Sequence, residues 1–170
     1  LDVAAYPASL DLSLSLTNIN MPTDTFVGRA TEMASIQTTF NEGKRLITLL
    51  GAGGSGKTRL AMQFGLQCVY DYTGGVWFCD LSEARTQDDI LACIANSLEL
   101  KLGPGDQRAQ IGQSLAGRDT VLLIVDNAEH VAAEMPALLQ TWAQQAPKAA
   151  FLITSRARLH VQGETVLTVD

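Results

Sequence analysis

Arg45-Leu46-Ile47-Thr48-Leu49-Leu50-Gly51-Ala52-Gly53-Gly54-Ser55-Gly56-Lys57-Thr58-Arg59-Leu60-Ala61 is the stretch that decides the fold. An apolar run of strand length ends in glycines, and Leu60, Phe64 and Cys68 then recur at i, i+4 and i+8 as a helical face. Strand, glycine loop and helix in that order match Gly51-x-x-x-x-Gly56-Lys57-Thr58, the Walker A pattern. Each residue type answers a physical need. Gly51, Gly53, Gly54 and Gly56 let the backbone close around an anion without Cβ clashes, so that amide N–H groups, Ser55 among them, point inward. The helix beginning near Gly56 brings its positive end beneath a phosphate. Lys57 supplies a point charge for the β and γ oxygens, and the Thr58 hydroxyl is a magnesium ligand. Arg59 directly follows and is grouped with the nucleotide-binding residues. The bland alternative is a glycine-rich turn with a chance Gly-Lys-Thr, and the strand before and helix after argue against it.

Working outward, helices alternate with strands. Thr31–Asn41 reads as a helix, Arg45–Leu50 as a buried strand, Thr58–Asp71 as a helix and Gly75–Leu81 as a strand. Thr86–Leu98 is a helix whose Thr86 and Asp89 are spaced as a capping box, and Asp106–Leu115 is another with Asp106 at its N-cap. Val121–Val125 is the most strand-like segment. Val131, Met135, Leu138, Leu139, Trp142 and Ala146 trace one helical stripe, and Ala149–Thr154 and Thr165–Val169 close the series as strands. Such alternation means parallel βαβ units, and nearly continuous apolar strands mean a sheet covered on both faces. The expected architecture is α/β, a three-layer αβα sandwich on five parallel strands. Residues 1–24 read as a linker or partial N-terminal segment carrying a short strand at Leu10–Leu16, and 25–170 as one P-loop nucleotide-binding domain.

Val121–Val125 leads into Asp126, the arrangement that delivers a carboxylate to a metal from the C-terminal end of a strand. Asp126 would accept from magnesium-bound water. The next residue, where many P-loop ATPases have a water-orienting Glu, is Asn127, which cannot act as a base. Glu129 and Asp80 are the nearest carboxylates. Asp80 ends a strand and reads first as a cap or turn residue; Glu129 stands between positioning water and a structural bond. In ATPases of this topology the strand Phe151–Thr154 inserts between the two motif strands, which would aim Thr154, Ser155 and Arg156 at the γ-phosphate. An Arg there distinguishes ATP from ADP by charge.

Composition bounds the partners. Of 170 residues 18% are charged and 46% hydrophobic, a globular balance, and the net charge of -6 with scattered basic residues argues against nucleic-acid binding by this piece. Three cysteines without a C-x-x-C pair, beside two histidines, make a zinc site a poor reading and suit a reducing compartment. No apolar run reaches bilayer length and no signal peptide opens the chain, so the expected localisation is cytoplasmic. A start at Leu1 and a stop straight after an apolar run read as a fragment of a longer protein.

Four segments together, Phe26-Val27-Gly28-Arg29, Gly51–Ala61, Val125–His130 and Thr154-Ser155-Arg156, resemble the STAND class of signal-transduction ATPases. The likeness is nearest to the NB-ARC-like modules of large bacterial regulators, many of which carry LuxR-type or related DNA-binding domains. The resemblance implies an ASCE-type sheet in the order 5-1-4-3-2. It also places Val27 and Gly28 near adenine and Arg29 near ribose or phosphates. It further implies a switch that ADP holds closed and ATP opens, with helical and winged-helix subdomains downstream and ATP-dependent self-assembly of the intact protein. The family's acidic residue after Gly-Arg is Ala30 here, and Glu32 comes two positions later.

The expected function is therefore an ATP/ADP-binding switch domain with slow magnesium-dependent hydrolysis, using Lys57, Asp126, Glu129 and Arg156, inside a signal-transducing and transcriptional regulator. An AAA-type mechanochemical ATPase and a binding module without turnover are the alternatives. A small-molecule kinase is disfavoured because no Arg-rich lid lies between Asp126 and Ala150, and the absence of Asn-Lys-x-Asp favours ATP over GTP.

Overall fold

The computed structural model describes residues 16–20 and 28–170. Within them run α1 (Ala30–Asn41), β1 (Leu46–Leu50), α2 (Lys57–Gln67), β2 (Val76–Asp80), α3 (Gln87–Ser97), α4 (Gln107–Gly117), β3 (Val121–Asp126), α5 (Met135–Gln145), β4 (Ala149–Ser155) and β5 (Glu164–Thr168). The strands form one parallel sheet in the order β2-β3-β4-β1-β5, which is the expected 5-1-4-3-2. Parallel neighbours need long crossovers, and the helices supply them.

The strand sequences carry two apolar faces, so successive residues feed opposite cores. Val121, Leu123 and Val125 join Ile90, Ile94, Ile111, Leu115, Met135, Leu138 and Trp142 from α3, α4 and α5. Leu122 and Ile124 turn the other way, onto Ile36 of α1 and Leu60, Ala61 and Phe64 of α2. These are the three layers. All of β3 and β4 is buried, as a central position demands.

Local signals set the helix starts. Thr86 accepts from Asp89 N–H while the Asp89 carboxylate accepts from the Thr86 N–H, a complete capping box on α3. Asp106 accepts from the Arg108 and Ala109 N–H groups at the start of α4.

Most boundaries move by a residue or two from expectation, and three of the differences bear on the fold. The helix after the glycine loop stops at Gln67 and tightens into a 3-10 turn, Val69–Asp71. That turns the chain back to the sheet, where Gly74 N–H donates to the Thr120 carbonyl. The stripe from Val131 to Ala146 is two elements, a 3-10 turn at Ala128–Val131 and then α5, with Pro136 in the first turn of α5. Proline lacks an N–H and belongs where that donor has no helical partner, so a new helix begins there. All six stripe residues are nonetheless buried. The last strand starts one residue earlier, at Glu164.

Leu10–Ser15 and Val27 lie outside the described residues. Residues 16–20 line the outer edge of β2. The Leu16 carbonyl accepts from Val76 N–H, and the Asn18 amide exchanges two bonds with the Phe78 backbone, 2.7 and 2.8 Å. Asn18 thus satisfies edge groups that would otherwise face water or another chain.

Candidate nucleotide-binding site

The strand order brings four C-terminal ends to one edge of the sheet, on which α/β folds bind their ligands. β1 delivers the glycine loop, β3 ends on Asp126, β4 between them ends on Ser155, and β2 ends on Asp80, paired in register with Asp126. Residues far apart in sequence become neighbours only through this order.

The loop passes into α2 through Gly56, whose φ of 90° at the N-cap is a conformation that a side chain would strain. Lys57 is only 9% exposed, and its ammonium donates to the carbonyls of Gly51 and Ala52, 2.7 Å each, within the loop. Gly53 lies so close to Arg156 that a Cβ there would come within 2.6 Å of the guanidinium. Arg156 therefore rests on the loop, and its Nε stands 3.5 Å from Glu129. Sequence spacing offered no sign that these two candidates pair.

Asp126 is 2% exposed and surrounded by donors. Thr58 Oγ1 donates to its carboxylate at 2.8 and 3.0 Å, the Thr154 hydroxyl donates to Oδ1, and the Asn127 side-chain amide donates to Oδ2 at 2.9 Å. Burial pushes its pKa up, the Thr154 and Thr58 hydroxyls pull the other way, and the fields of Asp80 and Glu129 add to the rise. Asn127, not Asp126, occupies the N-cap position of the 3-10 turn, in the left-handed region at φ 61°. Its N–H donates to Thr154 Oγ1 at 3.0 Å, and its side-chain amide also donates to Asp80 Oδ1 at 2.9 Å. Asp80 accepts from Ser82 N–H and Oγ as well, the turn role expected of it. Burial raises its pKa, but the donors Asn127 and Ser82 and the His130 field outweigh this and hold it below the usual carboxylate range.

Thr154 and Ser155 do not face the loop as Arg156 does. Thr154 is committed to Asp126, and Ser155 Oγ closes a turn with the Ala157 carbonyl and N–H. Side chains alternate along a strand, so three successive residues cannot share one target. From the other side, Gly28 and Arg29 both have positive φ, and Arg29 donates to the Ser55 carbonyl and to Glu32 Oε1 at 3.1 Å. Glu32, displaced in sequence from the usual acid position, thus still meets the Arg. Arg59 sits half-buried in the first turn of α2.

A hydroxyl beside a carboxylate, both hard oxygen donors, suits magnesium, which keeps several waters and takes few protein ligands. Among the described residues no cluster of three or more His, Cys, Asp or Glu could hold a metal. Also among the described residues, no helix is long and apolar enough to cross a membrane.

Residues 39–160 match the AAA domain family. The chain belongs to that family. As an AAA domain it is a P-loop ATPase module, with the sheet and loop just described. Over 139 residues it is 32% identical to an uncharacterised protein of Mycobacterium tuberculosis, covering 82% of this chain and 35% of that one. Over 120 residues it is 32% identical to a protein of the same organism provisionally named an HTH-type transcriptional regulator, covering 71% of this chain and 13% of that one. The chain thus spans about a third or less of the curated relatives it matches. Among solved structures it superposes on Cdc6p of Pyrobaculum aerophilum with TM-score 0.63 at 19% identity, covering 85% of this AAA domain and 43% of that chain. AMPPCP-bound DnaA of Aquifex aeolicus gives 0.55 at 15%, covering 86% and 48%. A STAND protein with a tetratricopeptide repeat sensor from Pyrococcus horikoshii gives 0.52 at 20%, covering 88% and 24%. At these identities the likeness is one of fold.

Proposed function

We propose that this AAA domain is the nucleotide switch of a larger signal-transducing regulator of the STAND type, binding ATP and ADP with magnesium and hydrolysing ATP slowly. One observation carries the reading. The residue after Asp126 is an amide, and both its side-chain hydrogens are spent on the carboxylates of Asp126 and Asp80. No carboxylate directly follows the metal-site Asp to drive fast turnover.

In this reading the loop amides and Lys57 hold the β and γ phosphates, Thr58 and Asp126 hold magnesium and its water, and Val27 and Gly28 are assigned to adenine with Arg29 assigned to ribose or phosphates. Magnesium, when bound, neutralises charge on the phosphates. Arg156, two-thirds exposed and paired with Glu129, would leave that pair for a γ-phosphate and so report triphosphate over diphosphate. The 32% identity to a provisionally named HTH-type regulator, whose length it covers by 13%, supports the regulatory setting. So does the resemblance carried by Gly28-Arg29 and Thr154-Ser155-Arg156. The partners would be nucleotide and the other domains of the same chain, in the cytoplasm.

Single-turnover hydrolysis by the full-length protein tests this. The expected rate lies well below the about 1–100 s⁻¹ of kinases. A rate in that range, with ring formation on size exclusion in ATP, would instead establish a mechanochemical ATPase. Membership of the AAA domain family favours that second reading.

A further inference from the structure

We infer that Asp80, at the end of β2, supplies the carboxylate that orients the attacking water, with Asn127 as its positioning residue. This rests on the hydrolytic reading above. The place usually given to a carboxylate directly after the metal-site Asp belongs here to Asn127, and the exposed carboxylate its amide reaches is Asp80, at the end of the adjacent strand. Asp80 and Asp126 are register partners on neighbouring strands, which lie about 5 Å apart, and the Asn127 amide bridges their carboxylates.

Hydrogen-bond capacity and exposure together separate the three carboxylates. A carboxylate offers about four lone-pair sites. Asp126 receives Thr58 on both oxygens, Thr154 on Oδ1 and Asn127 on Oδ2, and is buried. Glu129 is 16% exposed and faces Arg156 with Oε1, and its Oε2 has no hydrogen-bond partner but is buried, so it has acceptor capacity without access for water from solvent. Asp80 is exposed. Its Oδ1 takes Ser82 N–H and the Asn127 amide, its Oδ2 takes only the Ser82 hydroxyl, and one acceptor site remains toward solvent at the sheet edge. Asn127 holds its left-handed backbone through the bond to Thr154, so its amide is fixed between the two acids. The amide thereby links the water-orienting group to the metal-site Asp.

In the step itself, the water oxygen forms the new bond to the γ-phosphorus while the bond to the β–γ bridging oxygen breaks. The electron pair leaves with ADP. Asp80 accepts a hydrogen bond from the water, and the released proton passes to solvent.

The test measures affinity for Mg-ADP-aluminium fluoride, which mimics the transferring phosphoryl group with its in-line water, against affinity for Mg-ADP, in the full-length protein. Asp80→Asn keeps an oxygen acceptor for Asn127 and the Ser82 N–H, and its Nδ2 can donate to the Ser82 hydroxyl in place of accepting from it, so it should fold and bind Mg-ADP as the wild type does. Its preference for the fluoride complex should fall about tenfold, as should its single-turnover rate, less than the about 10²–10⁴-fold of full general-base assistance because the proton passes to solvent. The exchange double variant Asp80→Asn/Asn127→Asp returns a carboxylate to the pair and should recover most of the preference. A purely structural Asp80 would show no such loss and rescue. Asp80→Asn retaining the full preference, or Glu129→Gln losing it while Asp80→Asn does not, overturns the assignment. A wild type that gains nothing from aluminium fluoride over ADP overturns the hydrolytic reading itself, and this inference with it. Should Asp80→Asn melt early, Asp80→Glu, which keeps the charge, replaces it: an unchanged preference there together with an unchanged one in Asn127→Ala is the overturning result.

Discussion

Lys57→Ala separates the loop's architecture from its ligand. In the ligand-free domain the ammonium makes two 2.7 Å bonds to the Gly51 and Ala52 carbonyls while being 9% exposed. Hydrogen bonds to a charged group contribute about 1.5–3 kcal/mol each, but the loop borders solvent and water replaces the lost donor. Removing Lys57 also removes the cost of desolvating its charge. The net loss should be about 1–2 kcal/mol, which at about 2–4 °C per kcal/mol for a domain of this size lowers Tm by about 2–8 °C. Nucleotide adds a second, larger effect. At a hundredfold excess over Kd, a ligand that binds only the native state contributes about 2.7 kcal/mol, or about 5–11 °C on the same scale. Differential scanning fluorimetry with and without Mg-ATP should show that rise in wild type and almost none in Lys57→Ala at the same nucleotide concentration. Equal nucleotide shifts in the two proteins would remove Lys57 from phosphate binding and refute the reasoning.

Asp126→Asn should cost some stability, because its Nδ2 would face a donor where Asp126 accepts, yet remain folded, and should raise the magnesium concentration at half-saturation of triphosphate binding by about 10–100-fold, the usual effect of losing a group that organises a metal's outer shell; titrating magnesium against a fluorescent ATP analogue measures it, and equal midpoints would assign Asp126 a structural role. Trp142→Ala should cost about 3–5 kcal/mol in urea unfolding, because the ring is fully buried against α4 and its Nε1 donates to the Arg108 carbonyl. Alkali should also weaken the fold. Burial pushes the Cys68 and Cys79 thiols up to about 12 and the Tyr72 hydroxyl higher still, above their unfolded values. Their contribution is therefore whole below about pH 8.5 and is lost as pH rises toward 12, by at most about 1.4 kcal/mol per unit and group. Urea midpoints between pH 8 and 10.5 should fall, less steeply in Cys68→Ala/Cys79→Ala; equal slopes would place the alkaline sensitivity elsewhere.

Much was legible in the chain itself because it is written in short-range chemistry. The glycine loop ahead of Lys57-Thr58, the capping box at Thr86 and Asp89, the N-cap at Asp106 and the all-apolar run before Asp126 each act within a few residues, so spacing alone exposes them. The five strands and their parallel sense follow from the alternation of strands with helices, while their order was implied by the resemblance to STAND ATPases. Hydrophobic periodicity carried less at boundaries: the stripe from Val131 to Ala146 is apolar throughout, yet Pro136 divides it into two elements.

Tertiary structure decided what depends on long-range partners. Glu129 and Arg156 were separate candidates in sequence, and only the insertion of β4 beside β3 makes them an ion pair. Thr154 reads as a phosphate-facing residue until strand alternation turns its hydroxyl onto Asp126. Asn127 reads as a missing acid; the register of β2 with β3 shows its amide spanning Asp80 and Asp126, residues that lie 46 apart in the chain. Sequence determines which groups are present and what each can donate or accept. Which acceptor each donor finds is set by strand order and register, because a hydrogen bond needs its partners within about 3 Å, and only the folded sheet brings them there.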